Sequence, residues 1–223
     1  MNIIELTDIT FAYSDEEPVI FKNFNFSLEQ GKCCVIEGEN GAGKTTLFRI
    51  LTGLSFPQKG SYTFDGQLIT EKYLKDNSSS KLFHKRVGFL FQNPDVMLFN
   101  GRVYDEIAFG PRQMGLDEVE VRKRTEDCMD LFGLKDLSDK APYHLSGGQK
   151  KKVALAAVMS LNPEVLILDE PFSGLDERGS VSLMNFLSEL KSAGRTILIS
   201  THNPQVKEKI ADEAIELSTQ CQK

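Results

Sequence analysis

One glycine-rich stretch limits what this chain can fold into more than any other part of its sequence. It reads Gly38-Glu39-Asn40-Gly41-Ala42-Gly43-Lys44-Thr45-Thr46, between the apolar run Cys33 to Ile36 and the helix-like segment Leu47 to Leu54. This order predicts a strand, a phosphate loop and a helix, because glycines let backbone N–H groups turn inward and a helix N-terminus attracts anions. In such a loop Lys44 reaches the β- and γ-phosphates, and the Thr45 hydroxyl binds Mg²⁺. The stretch predicts a nucleoside triphosphate site, with a chance glycine loop as the alternative.

The composition limits the class of protein. The chain has 223 residues, of which 40% are hydrophobic and 26% charged, which fits one large domain or a domain with a subdomain. Its net charge of −6 predicts no general attraction to nucleic acid. No apolar run approaches the ~18 residues that a membrane-spanning helix needs, and the N-terminus lacks the basic and apolar regions of a signal peptide. We therefore expect a cytoplasmic protein.

The four cysteines have no spacing typical of metal ligands or of a redox pair. They are Cys33, Cys34, Cys128 and Cys221, and the first two fall in a predicted buried strand. We expect them to fill the core in a reducing compartment and to carry no chemistry.

The N-terminal region alternates apolar and polar residues, which predicts antiparallel strands over Ile3 to Tyr13 and Phe24 to Leu28. A polar turn, Ser14 to Pro18, follows Tyr13. An aromatic side chain at this strand end can fill the core or can stack on a purine, and its position alone favours the core.

The next region combines turn signals with one further strand. Gly60 to Gly66 predicts a hairpin, and the polar residues within Leu74 to Lys85 predict an exposed loop. The strand Val87 to Phe91 is followed by Gln92, a turn residue or, near phosphates, a group that orients water or reaches Mg²⁺.

A helical pattern runs from Val103 to Asp139 and indicates an inserted helical region. A second glycine-rich segment, Leu145-Ser146-Gly147-Gly148-Gln149, then opens a helix that extends to Leu161. Such a helix N-terminus can bind an anion, with the Ser146 hydroxyl as an added donor, or can be a simple N-cap.

The apolar run Val165 to Leu168 predicts a strand that is buried on both faces and ends in Asp169 and Glu170. Because ligands of parallel sheets bind at the carboxyl ends of strands, Asp169 is positioned to hold Mg²⁺ and Glu170 to activate water. His202 follows the last core strand, Thr196 to Thr201, where a satisfied surface histidine is the alternative to a catalytic one. The rest of the chain is predicted to contain a helix over Ser180 to Lys191, a short strand over Glu213 to Leu217 and a polar tail.

The order of these motifs resembles an ATP-binding-cassette (ABC) ATPase subunit over nearly the whole chain. The most specific elements are Leu145 to Gln149 and the apolar strand that ends in Asp169 and Glu170. The resemblance implies an α/β fold: a P-loop NTPase core with a mostly parallel sheet, an N-terminal antiparallel β-subdomain and an inserted helical subdomain. Within one ABC domain, 1–223, it implies a β-subdomain and phosphate-loop core over 1–90, a helical subdomain over 91–145 and the remaining catalytic core over 146–223.

The resemblance also implies roles for the matching residues. Tyr13 stacks on adenine, Glu39 to Thr46 hold the phosphates, and Ser146, Gly147, Gly148, Gln149 and Asp176 contribute to the nucleotide site of a second ATPase subunit. The implied catalytic residues are Glu170, His202, Gln92 and Lys44. The implied ligands of Mg²⁺ are Thr45, Gln92 and Asp169.

Within the family, several segments resemble the ATPases of energy-coupling-factor and cobalt or nickel importers. These are Phe91 to Asp95, Leu98-Phe99, Ala108 to Pro111 and Met114 to Leu116. Asn203 and Met97 depart from the residues common in that group. The resemblance implies uptake of a metal ion or vitamin, with a transmembrane coupling subunit and a substrate-binding membrane subunit, at the inner face of the cell membrane.

Two other functions fit the motifs in part. A soluble ABC ATPase of translation or DNA repair usually carries two cassettes or long insertions, and a non-hydrolysing regulatory cassette would not need both Glu170 and His202. For a transporter subunit, we expect a groove beside Gln92 to Phe99 to receive a short helix of the membrane partner, with Phe91, Met97, Leu98 and Phe99 as its apolar surface. Each of these four can instead be a core residue.

Overall fold

The computed structural model describes residues 1–14 and 16–218. Asp15 of the predicted turn therefore lies outside the described residues. The same holds for Cys221 and for most of the predicted polar tail, residues 219–223.

An antiparallel sheet of four strands forms the N-terminal layer. Its strand order is β2-β1-β4-β5, with the strands β1 (Asn2–Phe11), β2 (Phe21–Glu29), β4 (Lys59–Phe64) and β5 (Gln67–Leu68). Its apolar face packs on buried residues of helix α1 (Lys44–Leu51), including Phe48. The predicted antiparallel strands are confirmed, but β1 ends two residues before Tyr13 and β2 begins three residues before Phe24.

A parallel sheet of five strands forms the centre, in the order β6-β7-β8-β3-β9. The strands are β3 (Cys33–Glu37), β6 (Val87–Leu90), β7 (Val165–Asp169), β8 (Thr196–Ser200) and β9 (Glu213–Glu216). Every residue of β7 and β8 is buried, as the continuous apolar runs predict. All five strands run the same way, so the segments that follow β3, β6, β7 and β8 meet at one edge.

Eight α-helices occur in the described residues: α1 (Lys44–Leu51), α2 (Glu71–Lys75), α3 (Asn77–Arg86), α4 (Val103–Gln113), α5 (Glu118–Phe132), α6 (Gly147–Met159), α7 (Glu177–Ser192) and α8 (Pro204–Lys209). Helix α6 belongs to two cores. Val153 and Ala156 pack with α4 and α5, whereas Ala154, Leu155 and Val158 pack against the parallel sheet. The helical region between β6 and α6 thus has its own buried cluster and is joined to the sheet through α6.

The prediction of an exposed loop over Leu74 to Lys85 is wrong. Helices α2 and α3 occupy this segment, and the Asp76 side chain begins α3 by accepting a hydrogen bond of 2.8 Å from the Ser79 N–H. That bond is the main cause of a lowered pKa of Asp76. Phe83 is buried and meets Phe64 edge-on at 5.5 Å between ring centroids. The composition of the serine-rich run is typical of a loop, but in the structure the run forms the capped first turn of α3.

The fold class is confirmed: the chain is α/β, with a parallel core sheet, an antiparallel N-terminal sheet and a helical region. The division at residues 90 and 145 stays a prediction. No helix in the described ranges is both long enough and apolar enough to cross a membrane.

Candidate active site

The phosphate loop, Gly38 to Thr46, connects β3 to α1. Gly43 is the N-cap of α1 and has φ 98°, and a Cβ at this position would lie 3.0 Å from Ile20 and 3.1 Å from Phe21. At Gly38 (φ 143°) a Cβ would lie only 2.4 Å from the Leu217 carbonyl oxygen. Glycine is required at both places, by backbone conformation and by the close packing of neighbouring segments.

The Lys44 side chain is folded back onto its own loop. Its Nζ donates hydrogen bonds to the carbonyl oxygens of Gly38 (2.5 Å) and Glu39 (3.1 Å). These bonds hold the ammonium group over the loop, where a phosphate can take the place of a carbonyl as its acceptor.

Three neighbouring elements meet at Asp169, the last residue of β7. Its Oδ2 accepts a hydrogen bond of 2.8 Å from the Thr45 hydroxyl, and its Oδ1 accepts one of 2.7 Å from the Ser200 hydroxyl at the end of β8. A hydroxyl and a carboxylate are hard oxygen ligands, which Mg²⁺ prefers, and Mg²⁺ commonly takes only one or two carboxylates together with substrate phosphates. The pair Thr45 and Asp169 therefore fits a magnesium ion bound with a nucleotide.

Glu170 has a strained backbone and a poorly satisfied carboxylate. Its φ is 45°, a left-handed conformation that is uncommon for a residue with a side chain. The side chain is 14% exposed, and its Oε1 is buried without a hydrogen-bond partner in the part of the chain that the structure describes. His202 Nε2 lies 3.4 Å from this oxygen, without hydrogen-bond geometry. An unpaired buried carboxylate oxygen is costly unless a ligand or water binds it.

Most of the predicted nucleotide residues line one open pocket of about 700 Å³. From the loop it includes Glu39, Asn40, Gly41, Gly43, Lys44, Thr45 and Thr46; from the strand ends it includes Gln92, Asp169, Glu170 and His202. Ala42 is buried at 5% exposure and does not line the pocket. Ser173, from the predicted turn Ser173 to Asp176, lines it too, as does Ile20, to which no motif pointed.

Tyr13 lies outside that lining, two residues beyond β1. Its hydroxyl is 3.1 Å from the Thr46 hydroxyl, and its ring meets Phe11 edge-on at 5.1 Å between centroids. The side chain is 49% exposed, so one part of the ring is free beside the phosphate loop. Position in the sequence favours a core residue here, but this exposure favours a stacking surface instead.

The segment Leu145 to Gln149, called here the signature segment, lines a second pocket. This pocket measures about 500 Å³ and contains Ser146, Gly147, Gly148, Gln149 and Asp176. Ser146 and Gln149 form a capping box at the start of α6, with Ser146 N donating to Gln149 Oε1 (3.0 Å) and Gln149 N to Ser146 Oγ (3.4 Å). The two pockets have no lining residue in common. In one chain, the structure therefore does not bring the signature segment to the phosphate loop.

Lys151 is an unpredicted residue beside the site. It is 5% exposed, and its Nζ donates to the carbonyl oxygens of Glu170 (3.1 Å) and Ser173 (2.7 Å). Burial lowers the pKa of Lys151, and the carboxylates of Glu170 and Asp169 oppose that shift. The only signal for it in the sequence was a lysine on the apolar side of a predicted helix.

Comparison with known proteins identifies the family. Residues 21–173 match the family model described as ABC transporter. Among curated relatives, the nickel import ATP-binding protein LarO of Lactiplantibacillus plantarum is 42% identical over 96% of this chain and 88% of its own length. The energy-coupling factor transporter ATP-binding protein EcfA of Methanosphaera stadtmanae is 44% identical over 90% of this chain and 70% of its own length.

Solved structures agree with these matches. CbiO1 of Clostridium perfringens, described as part of the ABC transporter complex cbiONQ, has a TM-score of 0.82 and 35% identity over 97% of this chain and 84% of its own. An ATP-binding cassette in a post-hydrolysis dimer bound to ADP and Pi has a TM-score of 0.86 and 25% identity over 96% of this chain and 94% of its own.

Proposed function

This chain belongs to the ABC transporter family and is an ATPase that powers a membrane transporter, and we propose that its transporter imports a metal ion or a vitamin. Two named relatives support the direction: one is a nickel import protein and the other an energy-coupling factor transporter protein. The segments Phe91 to Asp95 and Ala108 to Pro111 resemble the same group of importers. We place the subunit at the inner face of the cell membrane, bound to a transmembrane coupling subunit that works with a substrate-binding membrane subunit.

ABC ATPases work as dimers, and the separation of the two pockets carries our proposal for this one. One pocket holds the phosphate loop and Glu170, and the other holds the signature segment and Asp176. Two subunits related by a two-fold axis bring each signature segment to the partner's phosphate loop, so that two ATP molecules are enclosed. The second subunit is another copy of this chain or a related ATPase. The post-hydrolysis dimer among the similar structures supports this arrangement.

In the proposed mechanism, the phosphates of ATP replace the loop carbonyls as acceptors for Lys44, and adenine stacks on Tyr13. Thr45 and Asp169, with Gln92 nearby, would hold Mg²⁺, which neutralises charge on the β- and γ-phosphates when bound. Glu170 Oε1 accepts a hydrogen bond from the attacking water and orients it toward the γ-phosphorus.

His202 is 67% exposed beside Glu170, where its imidazole can donate to the γ-phosphate as charge develops. ADP and phosphate leave when the dimer opens. That opening is the movement that we propose the membrane subunits use.

An exposed apolar patch is our candidate for the contact with the coupling subunit. Val96 and Phe99 are 64% and 66% exposed, and Phe99 meets Phe109 edge-on at 4.9 Å between centroids. The buried Glu106 carboxylate accepts hydrogen bonds from the N–H groups of Phe99 (2.9 Å) and Asn100 (2.7 Å), which fixes this loop. Of the four apolar residues predicted for a groove here, only Phe99 is exposed; Phe91, Met97 and Leu98 are half-buried. We therefore propose that the exposed side chains Val96, Phe99 and Phe109 form the part of this surface that receives a short helix of the coupling subunit.

The substitution Glu170→Gln tests the dimer and the catalytic role together. The amide keeps the shape but removes the proton acceptor, so we expect ATP binding to persist and hydrolysis to fall by about 10²-fold or more. With ATP and Mg²⁺, light scattering should detect a stable dimer. A variant that binds ATP but stays monomeric would contradict the proposed sandwich. Glu126→Gln makes the same chemical change at an exposed residue of α5 and should hydrolyse ATP normally.

Import itself is tested with the membrane subunits. We expect the chain to co-purify with a polytopic membrane protein and to support uptake of labelled Ni²⁺, Co²⁺ or a vitamin in vesicles. Glu170→Gln should abolish that uptake. Release as a soluble complex without membrane subunits would favour an ABC ATPase that is not tied to transport.

A further inference from the structure

Lys151 connects the helix of the signature segment to the backbone around Glu170. It is the fifth residue of α6, and both of its carbonyl partners lie in the turn that follows β7. One partner belongs to Glu170 itself. The other belongs to Ser173, three residues before Asp176.

The burial of this lysine requires an explanation. Lysine is almost never fully buried unless it is paired, because removing an ammonium group from water is costly. Leu155 and Leu175 line the same pocket as Lys151, together with polar residues such as Ser182 and Glu189, and the two carbonyl oxygens satisfy the Lys151 ammonium group. The position therefore uses the hydrogen-bonding capacity of the ammonium group rather than its bulk.

The Lys151 ammonium group uses its hydrogen bonds to hold the strained backbone at Glu170. The Glu170 N–H points to the carbonyl oxygen (3.1 Å) and the hydroxyl oxygen (3.0 Å) of Ser200. On the other side, the Glu170 carbonyl accepts hydrogen bonds from Lys151 and from the Ser173 N–H (3.2 Å). A left-handed residue persists only when its surroundings hold it, and here both flanking peptide groups are held.

We propose that Lys151 is a positioning residue that keeps the Glu170 carboxylate aimed at the attacking water. It also ties the signature segment, which acts on the partner's ATP, to the Glu170 that acts on this chain's own ATP. This inference rests on the proposed role of Glu170 and on the proposed dimer. It requires Lys151 to change the rate of hydrolysis and not the binding of ATP, because Lys151 does not line the phosphate-loop pocket.

The substitution Lys151→Met tests the proposal, since methionine keeps much of the stem but has no donor. We expect kcat to fall by about 10- to 100-fold, because a small misplacement of a catalytic group has an effect of that size. The KM for ATP should change by less than about threefold, since only a transition-state contact is weakened. A kcat within about twofold of the unchanged protein, or a rise in KM that accounts for the whole effect, would overturn the proposal.

Lys191→Met is the matched control. Lys191 is also a partly buried lysine, and its Nζ donates to the Ile210 carbonyl (2.7 Å) and pairs with Asp212 (3.0 Å). Asp212 Oδ2 accepts a hydrogen bond from the backbone N–H of Cys33. Cys33 is at the amino end of β3, away from the strand ends that carry the site. We expect this variant to lower the unfolding temperature and to leave kcat unchanged. A purely structural Lys151 would behave in the same way, and that result would contradict our proposal.

Chemical rescue gives a second readout that does not depend on the methionine variant folding well. Lys151 lines a solvent-accessible pocket of about 230 Å³, which gives a small amine access to the space that Lys151→Ala leaves. Propylammonium, which carries N–H donors, should restore part of the kcat of Lys151→Ala. Tetramethylammonium has the same charge and no donor and should restore none; equal rescue by both, or by neither, would count against the proposal. If Glu170→Gln kept full hydrolysis, the proposed catalytic role of Glu170 would fail and this inference with it. If Glu170→Gln lost hydrolysis while Lys151→Met kept its kcat, only the inference about Lys151 would fail.

Discussion

Thr45 donates a hydrogen bond of 2.8 Å to Asp169, a residue 124 positions later in the chain. The contact exists because β3 and β7 run parallel on either side of β8, so that the helix after β3 and the end of β7 meet at one edge. Ser200, which pairs in register with Asp169, completes the contact from β8. The oxygen ligands proposed for Mg²⁺ are thus prearranged by the sheet.

Ser200→Ala is expected to weaken Mg²⁺-dependent hydrolysis. The hydroxyl donates to Asp169 Oδ1 and accepts from the Glu170 N–H, so its loss frees the carboxylate to rotate and leaves a buried oxygen unpaired. Loss of a group that orients a metal ligand typically lowers affinity by about 10- to 100-fold, and we expect the Mg²⁺ concentration for half-maximal activity to rise accordingly. A titration of hydrolysis against Mg²⁺ measures this. Ser192→Ala removes an exposed hydroxyl that bonds to a helix carbonyl (2.9 Å) and should leave the titration unchanged.

The sequence predicted those parts of the site that follow from residue identity at a strand end. In a parallel sheet, the residues that follow each strand lie at the same edge. This rule places the two acids after Val165 to Leu168, the histidine after Thr196 to Thr201 and the phosphate loop close together. Ser200 and Lys151 have no such pattern. Their roles depend on which residue faces them across strands and helices, and that information appears only when the chain has folded.

A side-chain cap explains why the predicted loop over Leu74 to Lys85 is helical in the structure. The run Asp76 to Ser80 has the composition of a loop, and the same residues cap and begin α3. Phe83 on α3 packs in the same buried cluster as the apolar face of the N-terminal sheet. The loop preference of these polar residues is local, whereas the burial of Phe83 depends on residues far away in the sequence. The sequence alone does not show which of the two effects is stronger.

The native protein should be unreactive at its three described cysteines. Burial raises the pKa of Cys33 to about 12 and that of Cys128 to about 11, and it also raises the pKa of Cys34. Alkylation requires the thiolate, so iodoacetamide at pH 8 should modify these thiols only after unfolding. Mass spectrometry of Cys221→Ser protein measures the modification without the residue that lies outside the described chain. Rapid labelling of native Cys33 or Cys34 would contradict the prediction that they carry no chemistry.

Acid should remove the contribution of Asp105 to stability. The pKa of Asp105 is lowered mainly by a hydrogen bond from Arg102, with a further contribution from Arg112. A carboxylate with a lowered pKa in the folded state stabilises the fold above its unfolded pKa of about 3.9, and the effect is lost as pH falls through the folded value. Asp105→Asn should therefore unfold at a lower temperature than the unchanged protein at pH 7, and the difference should shrink below about pH 4. If the difference in unfolding temperature stayed the same from pH 7 to below about pH 4, the effect of Asp105→Asn would come from packing and not from charge.

A charge at Phe99 should separate the ATPase from its membrane partner. The Phe99 side chain is 66% exposed and forms the centre of the apolar patch with Phe109, so Phe99→Asp places an unpaired carboxylate where a helix of the coupling subunit would bury it. We expect co-purification with the membrane subunits to fall by at least about tenfold. An exposed substitution changes stability by about 0.5 kcal/mol or less, so the unfolding temperature should hardly move. Val119→Asp introduces the same charge at a side chain that is 81% exposed on α5 and should leave assembly intact. Assembly that tolerates Phe99→Asp as well as Val119→Asp would place the docking surface elsewhere.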